Sequence, residues 1–101
     1  MEWPEVCEIA RSLAGVKEYP TDGALRWTIG GRLVARRLDE QSLVVRMGFA
    51  RREILLQQYP EALFVPPRFD AHQKVVVRID LADPGLISLV LREAWTLQTS
   101  Y

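Results

Sequence analysis

The residues in this sequence best equipped for chemistry are its arginines, and their clustering suits them to hold anions. Seven arginines stand between residues 24 and 52 against two acidic side chains, Asp39 and Glu40, a local net charge of +5. Residues 1–23 carry two basic and five acidic side chains and residues 53–101 carry four and six, so the whole chain is neutral. A guanidinium is planar, permanently charged and forked, which fits it to bidentate bonds with phosphate or carboxylate and to stacking. Arg51 and Arg52 fall where the first turn of a helix is expected. Cations there oppose the helix dipole by about 0.3–1 kcal/mol each. Two readings follow: the pair shares an anion with the free amides of that turn, or it pairs with a nearby acidic residue or is simply tolerated. On the first reading, replacing both by Glu stabilises the domain and weakens anion binding.

Other reactive side chains form no constellation. His72 is the one histidine and Cys7 the one cysteine. No serine or cysteine is placed to complete a triad with His72 and Asp70, and the spacing of a zinc site is absent. Cys7 lies beside the apolar face of a helix and reads as a small core residue. Glu2, Glu5 and Glu8 read as a solvated acidic stripe. No phosphate loop, dinucleotide fingerprint or catalytic carboxylate pair is found. The expectation is a protein that is not an enzyme, with no cofactor and no metal.

The elements that must position the arginines follow from periodicity. Residues 4–13 predict a helix, with Pro4 in its first turn, Val6, Ile9, Ala10 and Leu13 at helical spacing, and Gly15 closing it. Residues 16–23 read as a loop with a short extended piece. Strands are predicted over 24–29, 32–38 and 42–47, the first two joined by the Gly30-Gly31 turn. A helix over 50–59 stops before Pro60. Residues 63–65 are short and extended, and 74–80 form a β-branched strand. Asp83-Pro84 opens a last helix running towards Thr99, with Ile87, Val90, Leu91, Ala94 and Trp95 inward. Trp27, Trp95 and Phe64 read as core anchors. This order predicts an α+β open two-layer sandwich, an antiparallel sheet with helices on one face.

Strand alternation then sorts the side chains. Leu25, Trp27, Ile29, Leu43, Val45, Met47, Val75, Val77 and Ile79 share the core face. Pairing Ile29 with Arg32 across the turn pairs Trp27 with Val34, so Val34 and Leu38 join them. The open face receives Arg26, Arg37, Arg46 and Arg78, with Thr28, Leu33, Ala35, Val44 and Val76, and no aromatic platform. Arg36 falls on the core parity. Such a face either contacts phosphates, or an acidic protein surface, or is simply a solvated sheet whose charges keep it soluble.

Bulk properties set the frame. A chain of 101 residues fits one domain, 1–101, and 49% hydrophobic with 26% charged residues is a globular composition. One cysteine permits no internal disulfide, the N-terminal Met-Glu-Trp-Pro-Glu has no apolar signal core, and no apolar run spans a bilayer. The expectation is a cytoplasmic protein without membrane contact.

Six stretches together resemble the MmcQ/YjbR family of small bacterial proteins over nearly the whole length. They are Ile9-Ala10-Arg11-Ser12-Leu13-Ala14-Gly15-Val16, Trp27-Thr28-Ile29-Gly30-Gly31-Arg32-Leu33-Val34-Ala35-Arg36, Ser42-Leu43-Val44-Val45-Arg46, Phe64-Val65-Pro66-Pro67-Arg68-Phe69-Asp70, Val75-Val76-Val77-Arg78-Ile79 and Glu93-Ala94-Trp95. The resemblance implies a double-wing sandwich similar in fold to the CyaY/frataxin proteins, and DNA binding. Many members have a His-Trp pair before the strand that begins here near Lys74. This chain has Gln73-Lys74 there, so no role is carried over to that position. Three glutamates on the first helix are too few for frataxin-like iron handling. The functional expectation is DNA binding through Arg26, Arg37, Arg46 and Arg78, flanked by Arg51 and Arg52. The alternative is a protein interaction module that docks an acidic partner or its own copy.

Overall fold

In the computed structural model, which describes residues 1–20 and 25–100, helix α1 (Trp3–Arg11) is followed by strands β1 (Lys17–Tyr19), β2 (Arg26–Ile29), β3 (Arg32–Asp39) and β4 (Ser42–Arg46). Helix α2 (Phe49–Gln58), strand β5 (Leu63–Phe64), a 3-10 turn (Pro67–Phe69), strand β6 (Lys74–Arg78), a second 3-10 turn (Ile79–Leu81) and helix α3 (Pro84–Thr99) complete the chain. The six strands form one antiparallel sheet in the order β1-β2-β3-β4-β6-β5. The expected α+β sandwich is therefore the fold found.

Local chemistry accounts for the elements. Glu5 accepts the Glu2 backbone amide at 3.2 Å at the start of α1, satisfying one of the donors that a helix start leaves free. Asp83 caps α3 by accepting from the Leu86 amide at 2.8 Å, with Pro84 in the first turn. Gly30 and Gly31 have φ of 56° and 79°, the left-handed pair that a tight hairpin turn requires. The main core joins Val6 and Ala10 of α1, Leu55 of α2 and Ile87, Val90 and Leu91 of α3 to Trp27, Val45 and Val75 of the sheet. All three helices thus lie on one side.

Several boundaries move. The loop expected over 16–23 contains β1, and Ala24, expected to start a strand, lies outside the described residues. The strand expected to reach residue 80 ends at Arg78, because Ile79 turns inward and its amide bonds to Gln41 O at 2.9 Å. Phe64, expected in the core, is 41% exposed, since its register places it opposite Val76 rather than Val77.

The largest correction is a β-bulge. Ile29 pairs with Arg32 as expected and Thr28 with Leu33, but then the register slips, and Trp27 pairs with Ala35 and Arg26 with Arg36. Val34 is the extra residue, and Val34 and Ala35 are both fully buried beside the fully buried Trp27. Beyond a bulge the alternation reverses. Arg36 and Leu38 therefore move to the face away from the helices, and Arg37 moves to the helix side. Unbroken alternation would have driven Arg36 beneath the helices, and a buried unpaired charge costs several kcal/mol, far more than one lost ladder position.

The face away from the helices is not bare. The β5–β6 connection folds back so that Phe69 packs on Val44 and Val76, with Leu38 and Val65 at the margin. Strand β4 is consequently buried on both sides, from Ser42 to Val45.

Candidate functional site

The sheet register lines up one residue from every strand on this second face: Tyr19, Arg26, Arg36, Val44, Val76 and Phe64. Arg46 and Lys74 are paired in the neighbouring row of the same face. Arg26, Arg36, Arg46 and Lys74 thus form a cationic tract across β2, β3, β4 and β6. Among the described residues none of the four forms an ion pair. Burial first, then the Arg36 and Arg46 guanidiniums, hold the Lys74 ammonium below the ordinary lysine value. The Nε of Arg46 is sealed from solvent and has no hydrogen-bond partner.

Aromatic rings frame the tract, contrary to the expectation of a face without them. The Arg26 guanidinium lies 4.4 Å and the Lys17 ammonium 5.2 Å from the centre of the Tyr19 ring. Lys74 and Arg68 lie 5.3 and 4.8 Å from the Phe69 ring, which meets His72 edge-on. Tyr19 escaped notice in the sequence because β1 was read as loop.

The six arginines singled out in the sequence have separate fates. Arg26 and Arg46 belong to the tract. Arg37 stands on the helix side at the sheet margin, 5.0 Å from the Trp3 ring, with its Nε donating to Asp39 O at 3.3 Å. Arg78 is on the tract's face but is held by Asp80 in a two-point pair at 3.0 and 2.7 Å. Arg51 pairs with Glu93 on α3 at 2.9 Å, so an acidic partner offsets its unfavourable place in the first turn of α2.

Arg52 is no surface anion contact. It is only 4% exposed, and its guanidinium donates to the carbonyls of Phe69, Asp70, His72 and Lys74 at 2.7–3.3 Å. Its charge is satisfied by the backbone that connects β5 to β6, and it fixes the segment that carries Phe69 and Lys74. Replacing both Arg51 and Arg52 by Glu would break two ion pairs, with Glu93 and Glu53, and bury a carboxylate among carbonyls, which reverses the expected stabilisation. Arg36 and Lys74 were missed: the first because the bulge is silent in the alternation, the second because it opens a strand next to a loop.

Among the described residues no three His, Cys, Asp or Glu side chains gather to hold a metal ion, and no helix is long and apolar enough to cross a membrane. Tyr59 and Leu81, both exposed, line a shallow cleft of about 310 Å³ beside the start of α3.

This architecture is an open α+β sandwich whose sheet carries a cationic tract on the side away from its helices. It is similar to the crystal structure of Deinococcus radiodurans protein DR2400, a DUF419 domain, with a TM-score of 0.77 over 99% of this chain and 81% of that one, at 19% sequence identity. The likeness is one of fold. No family model matches the sequence, and no curated protein matches it.

Proposed function

We propose that this chain is a non-enzymatic DNA-binding domain of the MmcQ/YjbR kind, which grips the phosphate backbone through Arg26, Arg36, Arg46 and Lys74. The observation that carries this reading is four cations on one sheet face with no carboxylate partner among the described residues. Arg37, Arg51, Arg52 and Arg78 have carboxylate or carbonyl partners inside the protein, so the tract is where cationic capacity is left over. The sixfold sequence resemblance and the fold it shares with a DUF419 domain are consistent with the family half of the reading. Contacts of this type position a protein on a duplex and read little sequence.

The test is anisotropy of a short labelled duplex titrated over a range of salt. Four phosphate contacts give a slope of log K against log salt of about −3.6. No binding at low salt, or a flat dependence, refutes the reading and leaves docking of an acidic protein surface as the use of the same face.

A further inference from the structure

The inner part of the tract supports a narrower inference, which rests on the reading of this face as an anion surface. We infer that Arg36, Arg46 and Lys74 form a discrete site for a single phosphate monoester dianion, whether free or at the end of a larger molecule.

Geometry brings the three together. Arg46 and Lys74 are directly opposed across β4 and β6. Arg36 opposes Val44, and Val44 precedes Arg46 by two residues, so its side chain shares the face with Arg46 and lies diagonally across from it. Directly opposed side chains in an antiparallel pair have Cβ atoms about 4.5–5.5 Å apart, and like charges placed so are destabilising. The site is also rigidly walled. Phe69, 7% exposed, lies beneath the Lys74 ammonium, and Arg52 pins the backbone of both Phe69 and Lys74. Three cations are therefore held side by side in a partly buried place with no carboxylate partner among the described residues.

The unpaired Nε of Arg46 points the same way. A buried donor without a partner is destabilising. In the free chain this Nε is covered, as is that of Arg52; but Arg52 donates from both terminal nitrogens, whereas the Arg46 guanidinium makes no hydrogen bond among the described residues. A turn of the guanidinium towards an oxyanion would present its Nε–Nη edge and satisfy the donor. Two forked guanidiniums and one ammonium offer several donors in different planes, which suits a tetrahedral dianion better than a planar carboxylate. A backbone phosphodiester carries one charge, whereas a monoester carries nearly two at neutral pH. The trio therefore favours a terminal or free phosphate over an internal one. Burial first, then the Arg36 and Arg46 charges, lowers the Lys74 value, which agrees with a site that holds cations together.

The test is thermal unfolding of the full chain with inorganic phosphate against chloride at matched ionic strength, followed by ¹⁵N NMR of the arginine Nε groups. Phosphate is expected to raise the midpoint and to move the Arg46 Nε resonance. Arg46→Met and Lys74→Met are each expected to unfold at a higher temperature than wild type without phosphate, because repulsion is relieved. Each should need about tenfold more phosphate for the same increment, the equivalent of one lost charge-assisted bond. Arg78→Met, outside the trio, should keep the wild-type response. No increment with wild type, or the same increment in all three variants, overturns the site. Two further arms separate it from the DNA reading: duplexes with and without a 5′-phosphate. Equal, salt-dependent binding of both duplexes without a phosphate response sinks the site and keeps DNA binding. A phosphate response with binding of the 5′-phosphorylated duplex alone keeps the site and sinks backbone binding.

Discussion

At the scale of single residues, the contrast between Arg46 and Arg52 separates the two uses of arginine in this protein. Arg52 has traded water for four backbone carbonyls, and charged hydrogen bonds of this kind contribute about 1.5–3 kcal/mol each before their entropic cost. Arg52→Met should destabilise the fold by at least about 2 kcal/mol in urea titration. Arg52→Lys should fall between, since one ammonium cannot span the same acceptors. Glu18 offers a second residue-level test. Its carboxylate accepts from Arg11 at 3.1 and 2.8 Å and from the buried Trp27 indole at 2.8 Å. The Arg11 hydrogen bond chiefly, with the indole bond and the Arg11 charge, holds its pKa below the ordinary value of 4.5, against a smaller upward push from burial. A depressed carboxylate stabilises the fold above its unfolded pKa, and that contribution is lost as pH falls through the folded value. Stability measured from about pH 5 to pH 3 should therefore fall less steeply in Glu18→Gln than in wild type. None of these partners was visible in the sequence. Composition and spacing identified a cation-rich stretch, but which arginine meets a carboxylate, a carbonyl or nothing depends on contacts between distant segments, such as Arg51 with Glu93.

The elements were the most legible part of the chain. Helical spacing, the Gly-Gly turn and the Asp-Pro helix start each act locally, and each marked a real element. The failure was at β3, where one extra residue changed the faces of the residues that follow it in that strand. Val34-Ala35 reads as ordinary alternation, because both residues are small and apolar and either fits either face. Only the tertiary demand to keep Arg36 out of the core selects the slipped register. This gives an element-level prediction with neighbouring residues as each other's control. In the DNA titration, Arg36→Glu should weaken binding by about tenfold or more, by loss of a phosphate contact and gain of repulsion. Arg37→Glu should leave it close to wild type. The reverse order would mean that the unbulged register is the one used in solution.

For the molecule as a whole, neutrality and a cationic face are compatible because the described acidic residues lie elsewhere: on α1, in the turns, and paired with Arg11, Arg51, Arg52 and Arg78. Long-range steering by net charge is absent, so the salt slope in the duplex titration reports the tract itself. The likeness to the DUF419 structure extends over essentially all of this chain at an identity of 19%, which shows that the sandwich tolerates wide sequence change. One feature of the architecture couples stability to occupancy. The small cluster around Phe69 is separate from the main core, so the segment it anchors can detach in a sub-global opening while the helices and sheet remain folded. That opening would take the Phe69 ring from beneath the Lys74 ammonium, while Lys74 itself stays opposite Arg46 in the sheet. A guest held on those two cations would lose its floor when the segment opens, so its grip would be set as much by the free energy of that detachment as by the bonds it makes.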